Sequence, residues 1–138
     1  MDESKDCREV FEAFIQSYKL LSLISDAIYN NQRYAYNTNF VVIELISPWQ
    51  DQYNIMLKQL RQTDKYFLIN DKYYVIEYPF VDYIEAERAF ENVRTNVFGD
   101  NIRYKYIITS LTDNFDLNTA DLVKKMVKGI CSAEIQNN

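Results

Sequence analysis

The sequence predicts an α+β domain, an antiparallel-rich sheet flanked by helices and preceded by a long N-terminal helix. Three observations predict it. Two apolar, β-branched runs, Phe40–Ile46 (FVVIELI) and Arg103–Ser110 (RYKYIITS), alternate with segments of helical periodicity. Between them LRQTDKYFLINDKYYVIEYPF, Leu60 to Phe80, reads as two strands around a short polar turn. Gly 2 and Pro 2 are too few for an all-β protein with many tight turns. The 138 residues fit one domain, 1–138, with the N-terminal helix over 1–32 and an α/β core over 38–135. A chain of this size buries about two-thirds of its unfolded surface.

Each element has its own warrant. From Arg8 to Asn31, Val10, Phe11, Phe14, Ile15, Tyr18, Leu21, Ile24 and Ile28 recur at spacings that put them on one broad helical face. Asn30-Asn31 is its expected stop. Phe40–Ile46 is apolar at nearly every position, as a central strand buried on both faces requires, and Pro48 ends it. A short helix fits Gln50 to Gln62, with Ile55, Met56, Leu57 and Leu60 inward. Lys65–Ile69 and Tyr73–Tyr78 are the hairpin strands around Asn70-Asp71-Lys72, since Asn and Asp tolerate the backbone of tight turns. Asp82 with Glu85 opens a helix as a capping box, its face is Ala86, Ala89, Phe90, Val93 and Val97, and Gly99 suits its C-cap. Asn118 with Asp121 opens the last helix, which carries Leu122, Met126, Ile130 and Ala133 inward. Without the outer helices the order is βαββαβ, the split-βαβ or ferredoxin-like arrangement with helices on one face of the sheet.

Composition excludes several functions. There is no histidine, so sites that need imidazole are excluded, and two remote cysteines cannot make a structural zinc site. No metal and no cofactor is expected. Gly99 and Gly129 cannot build a dinucleotide fingerprint or a phosphate loop. A net charge of −5 argues against nucleic acid or an anionic membrane as the main partner. No run of about 18 apolar residues predicts membrane insertion. The N-terminus MDESKDCRE is unlike a signal peptide, which implies a cytoplasmic chain with Cys7 and Cys131 as reduced thiols packed between helices.

Across Arg61 to Pro79 the chain resembles the GGDEF domain of diguanylate cyclases. That family runs Arg-x-x-Asp, five residues, the Gly-Gly-Asp-Glu-Phe signature, then apolar residues and often a proline. Arg61 and Asp64 fall on the Arg-x-x-Asp, and Asn70, Asp71, Lys72, Tyr73 and Tyr74 fall on the signature. Glu85–Arg94 and Ala120–Glu134 are similar to the family's later helices, and Phe40–Ile46 to its first strand. The resemblance implies a GGDEF-like palm fold and a degenerate site. Lys72 and Tyr73 replace the acidic pair that binds metal, and on the first strand only Glu44 is left as a carboxylate. The function it implies is a non-catalytic regulatory or protein-interaction module in microbial signalling, not an enzyme. The alternative is a cyclic di-GMP receptor using Arg61 and Asp64 as the family's inhibitory site does. A nucleotidyl enzyme with an unfamiliar site is the third reading.

Several residues carry two readings. Arg61 and Asp64 are a receptor site or a local ion pair. Glu44 is a leftover metal ligand or a solvated strand end. Tyr73, Tyr74, Tyr78, Tyr83, Tyr104 and Tyr106 are half-buried packing or an aromatic surface for a partner. The N-terminal helix covers its own sheet, or it pairs with another protein or a second copy through Phe11, Phe14, Tyr18 and Leu21.

Overall fold

The structure, a computed structural model, describes residues 3–47, 53–100, 102–111 and 118–137. The N-terminal segment forms two helices where one was expected. α1 spans Glu3–Ile15 and α2 spans Tyr18–Tyr34. Ser17 separates them with extended backbone, and its hydroxyl accepts a hydrogen bond from Leu20 N at 3.3 Å as the N-cap of α2. Apolar periodicity continues across the break because both helices bury residues in the same core layer. Asn31 does not stop α2. Its side chain is buried and its Nδ2 donates to Tyr36 O at 2.9 Å, and the helix ends at Ala35 in the left-handed conformation (φ 58°).

The sheet holds β1 (Thr38–Leu45), β2 (Lys65–Leu68), β3 (Tyr73–Pro79), β4 (Arg103–Leu111) and β5 (Gln136–Asn137). Their spatial order is β2-β3-β1-β4-β5, with every neighbouring pair antiparallel. Two crossovers each skip one strand: β1 to β2 through α3 (Tyr53–Lys58), and β3 to β4 through α4 (Tyr83–Val93). The fold is therefore α+β. β5 adds an edge pair, Arg103 with Asn137 and Tyr104 with Gln136, that no sequence pattern announced. Pro48 and the first residues of the helix expected from Gln50 lie outside the described residues.

The two helices of the βαββαβ core, α3 and α4, lie on one face of the sheet, and the outer helices cover the other. On one face Phe40, Val42 and Val75 pack against Phe14, Leu20 and Ile24 of α1 and α2 and Leu122, Met126 and Ile130 of α5 (Thr119–Ser132). On the other, Val41, Ile43 and Ile76 pack against Met56 of α3, Ala86, Phe90 and Val93 of α4, and Val97 and Phe98. The reason is in β1, which is apolar on both alternating sets and buried throughout. A strand with no polar face needs two covers, and each large side chain it buries contributes about 1.5–3 kcal/mol.

The caps fall where the sequence put them. Asp82 Oδ1 accepts from Glu85 N at 2.8 Å, and Glu85 Oε1 accepts from Asp82 N at 3.3 Å. Asn118 Oδ1 accepts from Asp121 N at 2.8 Å at the start of α5. A π-helical turn, Arg94–Phe98, extends α4 and ends at Gly99, whose φ of 57° suits a residue without Cβ. Among the described residues no helix is long and apolar enough to cross a membrane.

Candidate functional site

The hairpin turn is built by its own side chains. Asn70 Oδ1 accepts from Lys72 N at 2.9 Å and Tyr73 N at 3.1 Å, and Ile69 N donates to Tyr73 O at 2.8 Å. The tyrosines that follow point to opposite faces. Tyr73 meets Phe14 edge-on with centroids 5.5 Å apart. Tyr74 stacks on Tyr66 at 5.9 Å and donates its hydroxyl to Asp71 O at 3.3 Å. Asn70 and Asp71 therefore shape a turn, Tyr73 and Tyr74 are core, and Lys72 projects outward.

Glu44 lies across from this turn, in register with Tyr73 on β3 and Lys105 on β4. It is buried, so the solvated strand-end reading does not hold. Lys72 Nζ stands 3.7 Å from Glu44 Oε2 and Lys105 Nζ 4.0 Å from Glu44 Oε1. The three side chains line a cleft of about 560 Å³ with Asn70 and Tyr73, and Cys7 and Cys131 close one side. The two cysteines are joined as a disulfide with Cα atoms 6.0 Å apart, which corrects the expectation of reduced thiols. Packing of α1 on α5 brings them together across 124 residues of chain.

Arg61 and Asp64 close on each other. Asp64 Oδ1 accepts from Arg61 Nε at 3.0 Å and Nη2 at 2.7 Å, Asp64 Oδ2 accepts from Arg61 N at 2.8 Å, and Arg61 Nη2 also donates to Pro79 O at 3.0 Å. The Asp64 side chain is only 1% exposed. The hydrogen bond to Asp64 raises the Arg61 pKa further above its ordinary value. The pair ties the loop before β2 to the end of β3.

The expected anchor face of the N-terminal segment is not brought together at the surface. Phe14 is fully buried, Phe11 and Leu21 are partly buried against the same core, and only Tyr18 is exposed. Tyr73, Tyr74, Tyr78 and Tyr104 are buried in the sheet layers, whereas Tyr83 is exposed on α4. Exposed aromatics gather elsewhere: Tyr29 and Tyr34 on α2, Tyr36 in the loop after it, and Phe80 after β3. Tyr36 stands 5.6 Å from Tyr34 and 5.0 Å from Phe80 between centroids. The Arg33 guanidinium sits 6.0 Å from the Tyr29 ring and 5.7 Å from the Tyr34 ring. Phe80 is held in the left-handed conformation (φ 66°), an outlier for a bulky residue, by its N–H donating to Asn37 O at 2.7 Å.

Beside this patch a cleft of about 380 Å³ opens between α2 and the end of β3. Glu77 forms part of its wall and is 6% exposed. Burial pushes its carboxyl up to about 7; Asp26 and Asp64 add to the effect and Lys65 opposes it. Glu77 was missed in the sequence, although a charge inside the otherwise apolar and aromatic YYVIEYP is a signal that could have found it. Lys105 and the exposed tyrosines of α2 had no such signal.

No protein-family model matches the chain. The protein translocase subunit SecA 2 of Staphylococcus aureus (strain Newman) is 28% identical over 145 aligned residues, covering 93% of this chain and 18% of that subunit. The same subunit of strains N315 and Mu50 matches equally. The chain thus spans 18% of the length of the curated relatives it matches, and at that identity the likeness assigns no family.

Proposed function

We propose that this chain is a catalytically inactive, GGDEF-like module of microbial signalling that acts through contact with another protein. The β2-β3-β1-β4 order and the hairpin at the signature position support a ferredoxin-like palm of that kind. One observation carries the loss of catalysis. Glu44, the carboxylate left on the first strand, faces the ammonium groups of Lys72 and Lys105. Phosphoryl transfer depends on metal ions placed against the phosphates, and two ammonium groups beside that carboxylate repel them. The likeness to a stretch of SecA 2 carries no part of this reading.

The contact surface is the exposed cluster of Tyr29, Tyr34, Tyr36 and Phe80 with Arg33, residue types that dominate interface energetics. A cyclic di-GMP receptor working through Arg61 and Asp64 is less favoured, because both side chains are already engaged with each other. Incubation with GTP and Mg²⁺ tests the first half, with no cyclic dinucleotide expected above a buffer control. Product lost on Glu44→Gln would overturn it. Capture of a partner from a microbial lysate by the native chain, and not by Tyr36→Asp of unchanged circular dichroism, is expected for the second half. Equal capture by both, or none by either, sinks it.

A further inference from the structure

We propose that the cleft between α2 and the end of β3 binds an organic cation, the ammonium or guanidinium group of a lysine or arginine side chain presented by a partner protein. This rests on the interaction reading and names the chemistry the partner must carry. The first support is Glu77. It is more than nine-tenths buried, lines the cleft, and makes no hydrogen bond or ion pair among the described residues. Lys65, directly opposite on β2, is exposed and forms no ion pair with it. The Glu77 oxygens open on the cleft, and a carboxylate this far desolvated gains from a cation that reaches it there.

The walls supply the second support. Tyr29, Tyr36 and Phe80 line the cleft, and each residue is about half exposed. Ring faces attract cations, and together with one carboxylate they suit a cation that carries its own apolar collar. A hydrated metal ion needs several oxygen ligands in its place. An anion meets Glu77 and Asp26, and a purely apolar ligand leaves Glu77 unpaired. Phe80 gives the third support, since its left-handed backbone holds an aromatic ring at the rim at a conformational cost.

Binding is linked to pH. The charged groups facing Glu77 are Asp26 from α2, Lys65 from β2, and Asp64, paired with Arg61, from the loop before β2. Near neutrality Glu77 is partly protonated, and a bound cation draws that proton off. Affinity should be about tenfold greater at pH 8 than at pH 6. The nearby positive charge of Lys65 opposes the approach of a second cation.

The test is titration of the full chain, followed by NMR, with n-butylammonium, blocked arginine amide, a blocked Gly-Arg-Gly peptide and potassium chloride. Saturable shifts at Tyr29, Tyr36 and Phe80 are expected with the organic cations and not with potassium. Glu77→Gln should weaken them at least about tenfold, as loss of a charge-assisted contact implies, while Lys65→Met strengthens them. The peptide should bind tighter than butylammonium; equal affinities would assign the site to a free amine and overturn the partner assignment. No saturable shift in the native chain, or shifts unchanged in Glu77→Gln, would overturn the site itself. Turnover of GTP would end the non-catalytic reading without altering these shifts, and a silent cleft leaves that reading standing.

Discussion

Replacing Glu77 by glutamine should change how stability depends on pH. The folded carboxyl holds its proton up to about pH 7, whereas an unfolded one releases it near 4.5. Between those values the folded state binds the additional proton, so the native chain loses stability from this residue as pH rises from about 4.5 to about 7. Above that window the loss is complete and constant. At about 1.4 kcal/mol per tenfold in proton affinity, it amounts to about 3 kcal/mol. The glutamine side chain fills the same space and cannot ionise. Urea unfolding followed by circular dichroism at pH 5 and pH 8 measures the difference. From pH 5 to pH 8 the stability of Glu77→Gln relative to the native chain should rise by about 2–3 kcal/mol. Parallel pH profiles for the two would refute the reasoning and show that Glu77 ionises in the fold as it does in water.

Tyr78→Phe should raise stability by about 1 kcal/mol in the same assay, because the Tyr78 hydroxyl is buried without a hydrogen-bond partner among the described residues; a loss would reveal an interaction of that hydroxyl. Opening the Cys7–Cys131 bridge, by reductant or as Cys131→Ser, should lower unfolding stability by about 4–5 kcal/mol, the chain-entropy value for closing a loop of this length. Unchanged midpoints with and without reductant would show that the bridge adds nothing. Phe14→Ala should cost about 3–5 kcal/mol with no change in assembly, measured by unfolding and sedimentation, since Phe14 is core; a folded variant that only dissociates would restore it as an interface anchor.

What the sequence determined by itself is local. Asp82 and Glu85, Asn118 and Asp121, and the Asn70 turn each act within three residues, so their hydrogen bonds are legible in the residue order. The strands other than β5 were legible from apolar and aromatic runs, and β1 as a central strand from its lack of a polar face. Even a local feature escaped at Ser17, where a cap breaks a helix whose apolar period carries on. Tertiary structure alone decided the rest. Periodicity says that a face is apolar but not what covers it. Phe14 and Tyr73 became core because α1 docks on the sheet, while Tyr29 and Tyr34 on α2 and Tyr36 in the loop after it stayed exposed. The Cys7–Cys131 bridge, the two lysines on Glu44 and the unpaired burial of Glu77 join residues far apart in the chain. Their energies depend on distance and desolvation, and neither exists until the strands and helices have packed.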